Sequence, residues 1–254
     1  MSVLELRGLS KSFGKFTAVD SISLSVDEGR IYGFLGPNGA GKTTTIKLIS
    51  RISDADTGEI RLLGDLISST SVGALNKLGV LFSEPAIFDL MTSLENLVYF
   101  GKLYGLTREE AERRAFILAR MLDLDVESKK LVTDFSSGMK KKLGFLCALI
   151  HKPDLLVLDE PFESVDPSSS RMMKRILKDF AAAGGSVFIS SHVLSHLEEI
   201  IDDLAIINKG EIVLSGDFAS IQQDLAGLQQ KSDLESIFLS SIGETEEKPV
   251  VFPW

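Results

Sequence analysis

One stretch of this sequence reads Gly36-Pro37-Asn38-Gly39-Ala40-Gly41-Lys42-Thr43-Thr44. It follows an apolar run at 31–35 and precedes a helix-like run at 45–49, which is the strand–loop–helix setting of a phosphate-binding loop. Its glycines allow backbone N–H groups to turn inward and, with the helix N-terminus, to hold phosphate oxygens. Lys42 can reach the β- and γ-phosphates, and the Thr43 hydroxyl can ligate Mg²⁺. The alternative, an ordinary glycine-rich turn, does not account for every position of G-x-x-x-x-G-K-[ST] being matched.

The composition is that of a globular protein, with 254 residues, 44% of them hydrophobic and 25% charged, and a net charge of −9. This negative charge argues against a nucleic-acid partner, since nucleic-acid-binding domains are basic. Cys147 is the only cysteine and lies in an apolar run, so we interpret it as a buried hydrophobic residue. The charged start does not resemble a signal peptide, and no apolar run approaches the roughly 20 residues of a membrane span. We therefore expect a chain in a reducing cytosol, with any membrane channel on another chain.

Hydrophobic periodicity predicts an α/β frame with a helical insertion at about residues 85–150. The predicted strands are 3–9, 21–26, 31–35, 58–63, 78–82, 154–159, 186–190, 204–207 and 211–214. The predicted helices are 94–104, 109–122, one beginning near 136–138, 168–182, 193–200, 217–225 and 233–240. Capping boxes at Thr92–Glu95 and Thr107–Glu110 each predict the start of an inserted helix.

Two adjacent acids end an apolar run, which is the expected partner of a phosphate loop. Asp159 is predicted to hold Mg²⁺, and Glu160 is the better candidate for the base that polarises a water molecule. The alternative is that both acids are solvated loop residues. His192 follows another buried run, where a contact with a γ-phosphate is feasible.

Two further features allow two interpretations each. Phe13 and Phe16 can either stack on a purine or pack between strands. The basic run Lys140–Lys142 is interpreted as a solvated helix face, with added positive potential beside Gly138 as the alternative.

Together, these motifs resemble in order and spacing the nucleotide-binding subunits of ATP-binding cassette (ABC) transporters, over roughly residues 2–242. The phosphate loop is similar to the family's Walker A motif, and 155–159 is similar to its Walker B motif. Residues 135–139 stand where the family has its L-S-G-G-Q signature, and 164–166 resemble its D-loop. Residues 233–238 resemble the close of stand-alone subunits that serve bacterial drug, antibiotic or polymer exporters.

The resemblance implies roles for individual residues. Glu160 stands in the place of the catalytic glutamate, His192 in that of the switch histidine, and Phe13 where an aromatic ring stacks on adenine. Asp166 belongs to the D-loop. The residues that correspond to the family's contacts with the ATP of the opposite subunit are Ser136, Ser137 and Gly138.

For the whole chain, the resemblance implies an ABC ATPase domain at 1–242 and a C-terminal tail at 243–254. The fold would be a P-loop NTPase parallel-sheet core with an antiparallel β-subdomain and an inserted helical subdomain. The chain would bind ATP and Mg²⁺ in a head-to-tail homodimer, or in a pseudo-dimer with a second ATPase subunit, and hydrolyse the ATP. It would power export through a separately encoded integral-membrane permease, as a cytoplasmic protein peripheral on the inner face of the cell membrane, without a nucleic-acid partner.

Two departures from the family pattern matter, one at Ser83 and one in the signature, where Phe135, Ser137 and Met139 replace Leu, Gly and Gln. Ser83 stands where the family usually has a glutamine that contacts the metal, and it is too short to span that distance. Either Glu84 substitutes, or the contact is lost or made through water. Ser137 adds a side chain where the signature packs closely, which is expected to weaken affinity across the dimer.

Two rival functions remain at this point. One is an ABC protein that acts on ribosomes or DNA, although such proteins usually carry two cassettes or a coiled-coil insertion. The other is a weakly hydrolysing, ATP-dependent regulatory module, which is suggested by Ser83 and Ser137.

Overall fold

The computed structural model describes residues 1–67 and 72–226. Its strands are β1 (Ser2–Phe13), β2 (Phe16–Asp27), β3 (Ile31–Leu35), β4 (Thr57–Leu62), β5 (Asp65–Leu66), β6 (Leu78–Leu81), β7 (Leu155–Asp159), β8 (Ser186–Ser191), β9 (Asp203–Asn208) and β10 (Glu211–Asp217). Its helices are α1 (Lys42–Ile49), α2 (Val72–Leu75), α3 (Ser93–Leu103), α4 (Arg108–Met121), α5 (Ser137–Leu149), α6 (Pro167–Ala182) and α7 (Phe218–Ala226). The predicted helix at 233–240 and the tail at 243–254 lie outside the described residues.

A six-stranded sheet with the order β10-β9-β3-β8-β7-β6 forms the centre of the structure. All neighbouring strands in it are parallel except the edge pair β10 and β9. Every residue of β3, β7 and β8 is buried, as expected for parallel strands covered on both faces. The carboxyl ends of these three strands therefore meet at one edge of the sheet, where α/β proteins bind their ligands.

Side chains that alternate along the central strands enter two separate hydrophobic cores. Leu156 and Leu158 of β7 pack with α3, α4, α5 and α6 on one face. Leu155 and Val157 pack on the other face with α1 and with a four-stranded antiparallel sheet of order β2-β1-β4-β5. This layering confirms the predicted fold class.

The helices α3, α4 and α5 lie between β6 and β7, where the sequence predicts an insertion. Its limits of about 85–150 stay a prediction. Thr92 caps α3 through the complete predicted box, since its hydroxyl accepts from the Glu95 N–H and its own N–H donates to the Glu95 carboxylate. At α4 only half of the box forms: Thr107 caps the helix, but the Glu110 carboxylate pairs instead with Arg113 and Arg114.

The largest local error of the sequence prediction concerns residues 193–200. They form one 3₁₀ turn, at Leu194–His196, rather than an α-helix. The Ser191 hydroxyl closes the preceding turn by accepting from the Val193 N–H at 3.0 Å and donating to the Val193 carbonyl at 3.1 Å. The chain thus leaves β8 through a tight turn that places His192 at the sheet edge. Within residues 1–67 and 72–226, no helix is long and apolar enough to cross a bilayer.

Candidate nucleotide-binding site

A cleft of about 380 Å³ lies at the carboxyl edge of the central strands, a size within the range of small-molecule sites. β3 leads into the loop 36–44, β7 into Glu160 and β8 into His192, and all three contribute to the lining. The ends of β3 and β8 are joined by a hydrogen bond from the Gly36 N–H to the Ser191 carbonyl at 3.1 Å. The strand order therefore brings together residues that are far apart in the sequence.

Two glycines of the loop are required by close backbone contacts. A Cβ at Gly36 would collide with the Ile207 carbonyl, and one at Gly41 would collide with the Ala18 carbonyl. Gly41 also has φ +116° at the N-terminal cap of α1, a conformation that side chains disfavour. The loop consequently keeps its backbone next to the cleft, with the N-terminus of α1 directed at it.

Lys42 places a buried positive charge inside the loop. Its Nζ donates to the carbonyls of Gly36 at 2.6 Å and Pro37 at 3.1 Å, and lies 3.4 Å from Oε1 of Glu160. A buried ammonium needs such partners because its desolvation is costly. The three partners place the charge where it can attract phosphate oxygens.

Asp159 is fully buried, and a hydroxyl contacts each of its carboxylate oxygens. Thr43 Oγ1 donates to Oδ2 at 2.7 Å, and Ser190 Oγ donates to Oδ1 at 2.6 Å. Carboxylate and hydroxyl oxygens are the hard ligands that Mg²⁺ prefers, so the Thr43–Asp159 pair fits this ion. Sequence reasoning missed Ser190, because only the register of β7 against β8 places it opposite Asp159.

Glu160 adopts φ +48°, which is uncommon for a residue with a side chain, and it is buried. Its Oε1 lies 3.0 Å from Nδ1 of His192, but the two atoms lack hydrogen-bond geometry. Both atoms are therefore without a hydrogen-bond partner among the described residues. A buried carboxylate oxygen with unused acceptor capacity, close to a lysine and a histidine, is suited to accept a proton from water.

The signature residues lie outside this cleft. Ser136 caps α5 by accepting from the Met139 N–H at 3.2 Å. Gly138 packs against the turn after β7, where a Cβ would lie 2.6 Å from the Ser164 carbonyl. In the described part of one chain, none of the three residues Ser136, Ser137 and Gly138 lines the nucleotide cleft, and Ser137 lines a second cleft beside it.

Asp166, the predicted D-loop residue, is the N-terminal cap of α6. Its Oδ1 accepts from the Ser169 N–H at 2.9 Å, and this hydrogen bond is the main reason why the pKa of Asp166 is lowered. The carboxylate thus has a structural function within its own chain, and its D-loop function stays a prediction.

Neither aromatic candidate packs between strands. Phe13 and Phe16 are 55% and 61% exposed, and Phe16 lines the cleft. The Phe13 ring instead faces Lys11, whose Nζ lies 5.6 Å from its centroid. Stacking of Phe13 on adenine stays a prediction, and Phe16 is the one of the two rings that lines the cleft.

The interpretation of the lysine run as a solvated face is wrong for its middle residue. Lys141 is only 4% exposed, and its Nζ donates to the Ser83 carbonyl at 2.5 Å. Burial lowers the pKa of Lys141.

Ser83, the tentative metal ligand, lines the nucleotide cleft. Cys147 is buried as predicted, and burial raises the pKa of its thiol.

Comparisons with known proteins show the family of this chain. The model of the family described as "ABC transporter" matches residues 19–163. The linearmycin resistance ATP-binding protein LnrL of Bacillus subtilis (strain 168) is 36% identical, over 89% of this chain and 72% of that protein. The bacitracin transport ATP-binding protein BcrA of Bacillus licheniformis is 35% identical, over 84% of this chain and 69% of that protein.

A solved structure described as the ATP binding subunit of an ABC transporter superposes with a TM-score of 0.85 at 27% identity, covering 94% of this chain and 99% of that one. The predicted family, fold class and ATPase activity are thereby confirmed. The phosphate loop, the strand-end acids and these similarities lead to one assignment. The chain belongs to the ABC transporter family and is an ATP-hydrolysing, ATP-binding subunit.

Proposed function

We propose that this chain binds Mg·ATP and hydrolyses it in a head-to-tail dimer to power export through a separate membrane permease. The observation that carries the proposal is the convergence of Lys42, Glu160 and His192 beside the Thr43–Asp159 pair. This convergence supports our proposal that Lys42 binds phosphate, that Glu160 is the base and that Thr43 and Asp159 hold the metal. Each of these site roles is a proposal of ours.

We assign a separate role in ATP hydrolysis to each group of residues at the cleft. The backbone N–H groups of the loop and the Lys42 ammonium bind and orient the phosphates. Thr43 and Asp159 would hold Mg²⁺, which when bound neutralises phosphate charge. Glu160 accepts the proton of the attacking water at Oε1, and His192, whose Nδ1 lies 3.0 Å from that atom, would contact the γ-phosphate.

The position of the signature supports the proposed dimer. The loop 36–44 and the strand-end residues form one wall of the cleft, whereas Gly138 packs on its own chain's Ser164. The signature therefore lies beside its own cleft and not in it, in agreement with contacts to the ATP of a second subunit. A second copy of this chain is the simplest source of the missing wall, since most soluble oligomers are homo-oligomers.

Export and the permease rest on similarity. The relatives reported above carry names that concern bacitracin transport and linearmycin resistance, and both are called ATP-binding proteins. By analogy, we propose that this chain works with a separately encoded permease at the inner face of the cell membrane. These relatives are transporter subunits and do not favour the ribosome-acting or regulatory alternatives.

Mixing two inactive variants tests the shared site. Lys42→Ala removes the phosphate-binding charge. Gly138→Asp adds a carboxylate to the signature and a Cβ that crowds the Ser164 carbonyl of its own chain, so each homodimer should be inactive. In a head-to-tail heterodimer, one site collects both defects and the other is intact. An equal mixture should recover about a quarter of the parental turnover if the sites act independently, or ATP-dependent dimers if turnover needs both.

The measurements are phosphate release and dimer fraction across mixing ratios, with subunit exchange verified by differently labelled chains. The matched control mixes Lys42→Ala with the double variant Lys42→Ala/Gly138→Asp, because this pair exchanges subunits in the same way without forming an intact site. A response no higher than that control would refute the shared-site dimer.

A further inference from the structure

The three consecutive lysines of α5 differ in their contacts. Lys140 pairs with Asp89 at 2.7 Å, and Lys142 donates to the Leu122 carbonyl at 3.3 Å. Lys141 is the buried member, and its ammonium donates to the Ser83 carbonyl at 2.5 Å. Because adjacent helix positions point in different directions, these neighbours serve as internal comparisons.

The Lys141 ammonium is held by a backbone carbonyl and not by a carboxylate. Among the residues that the structure describes, its one hydrogen bond is the one to Ser83, and no acid lies within ion-pair distance. The carboxylates of Glu163, Asp159 and Glu160 act on it from further away and favour its charged form. A buried charge is costly unless it is hydrogen-bonded, so the contact with the Ser83 carbonyl is what stabilises the Lys141 ammonium at this position.

A second contact shows that α5 and the segment after β6 are fitted to each other. Gly144 lies three positions after Lys141, on the same face of α5. A Cβ at Gly144 would lie 2.7 Å from Cβ of Pro85 and 2.9 Å from Cδ1 of Leu81. The backbone of α5 therefore lies close to residues 81–85, and the Lys141 side chain, on the same face of α5, reaches the Ser83 carbonyl.

Ser83 lies at the junction of two clefts. It lines the nucleotide cleft with Lys42, Thr43 and Glu160, and it also lines the second cleft with Ser137 of α5. The same helix thus begins at the signature and holds the edge of the nucleotide cleft one turn later.

We propose that Lys141 is a positioning residue: its buried ammonium holds the Ser83 backbone at the edge of the nucleotide cleft and links the position of that edge to the signature helix. Lys141 contacts the backbone carbonyl of Ser83 and not its short side chain, so the contact acts on the position of the backbone. The inference rests on the proposed function, since its effect is on the hydrolysis of nucleotide bound in the cleft.

Turnover is expected to depend on this contact more than nucleotide affinity does. In the proposed function the loop 36–44 and Lys42 bind the phosphates, whereas Ser83 lines the same cleft as Glu160 and His192. Lys141→Met, which keeps the length and removes the donor and the charge, should lower kcat by roughly 10- to 100-fold, the usual effect of a small misplacement near reacting groups. KM for ATP should stay within about threefold of the parental value, because ground-state binding is retained.

Lys141→Arg keeps both charge and donors and should retain more than about a third of the parental kcat. Lys142→Met is the matched control, since it is the same substitution one position along, with a contact directed to Leu122. It should leave kcat and KM close to those of the parent. Each variant's thermal midpoint and Mg²⁺ dependence are measured alongside.

The results separate the inference from the proposed function. If the unmodified protein has no ATPase activity, or if the Lys42→Ala variant keeps the full activity, both the proposed function and this inference are contradicted. A Lys141→Met variant within twofold of an active parent contradicts the inference alone. So does a joint loss of kcat, affinity and thermal midpoint that Lys141→Arg does not rescue, because that pattern indicates a merely structural residue. If the methionine variant does not fold, Lys141→Gln, which is shorter and uncharged, replaces it under the same criteria.

Discussion

Replacing Glu160 by glutamine tests the base assignment with little change of shape. The carboxylate is buried, and its Oε1 lies 3.0 Å from His192 Nδ1 and 3.4 Å from Lys42 Nζ. Glutamine preserves the volume and the backbone contacts of the Glu160 N–H with Ser190. What it removes is the negative charge and the ability to accept a proton from water.

The expected loss of turnover follows from the role of a positioned base. Such a group contributes about 10²–10⁴ in rate, which corresponds to about 2.7–5.4 kcal/mol of activation free energy. Nucleotide binding should persist, because Lys42 keeps the carbonyls of Gly36 and Pro37 and loses only its contact with the carboxylate. Removing a negative charge from the cleft also reduces its repulsion toward phosphate, so ATP affinity should be equal or higher.

The assay pairs phosphate release at saturating Mg·ATP with binding of a fluorescent ATP analogue. Size-exclusion chromatography with ATP should show a dimer that the parent does not accumulate, because the variant binds without turning over. Glu198→Gln is the matched control: Glu198 is an exposed carboxylate on the turn after His192, so the same chemical change should leave kcat unaltered. Turnover of Glu160→Gln within about threefold of the parent would show that another group is the base.

Two further substitutions examine the metal ligands. Ser83→Gln lengthens the side chain at the cleft edge. The Mg²⁺ concentration for half-maximal ATPase activity should then be lower, because the longer side chain can reach the metal. An unchanged Mg²⁺ titration and an unchanged rate would mean that Glu84 or water already makes the contact with the metal. Ser190→Ala removes the hydroxyl that donates to Asp159 Oδ1 at 2.6 Å and should lower the free energy of unfolding by about 1–3 kcal/mol, because a buried carboxylate oxygen loses its partner. Urea denaturation measures this loss, and Ser195→Ala, at an exposed serine, is the comparison that should show none.

Local patterns were sufficient for the elements that build the site. The loop 36–44 could be predicted because its glycines, lysine and threonine follow one another in the sequence, although Gly36 and Gly41 are also required by contacts with the distant Ile207 and Ala18 carbonyls. The same holds for the Thr92 cap of α3 and for the apolar run that becomes β7. The prediction of a helix at 193–200 was wrong. The apolar residues there are spaced as in a helix, but they are buried along a turn. The Ser191 hydroxyl accepts from the Val193 N–H and so starts this segment as a turn that continues into a 3₁₀ helix at Leu194–His196.

Pairings between distant residues needed the tertiary structure. The order β3-β8-β7 is what places Ser190 against Asp159 and His192 against Glu160, and neither pair shares a local pattern. The exposure of Phe16 at the cleft likewise depends on how the β1–β2 hairpin lies over the loop.

The phosphate loop, the two strand-end acids and the family could be predicted before the fold was known, because they depend on residue type and short spacing. The burial of Lys141 against the Ser83 carbonyl, while Lys140 and Lys142 contact other partners, became evident from the packing of the folded chain. Three adjacent lysines are equivalent in the sequence, but successive helix positions point about 100° apart, and the packing of α5 on residues 81–85 selects which of them is buried.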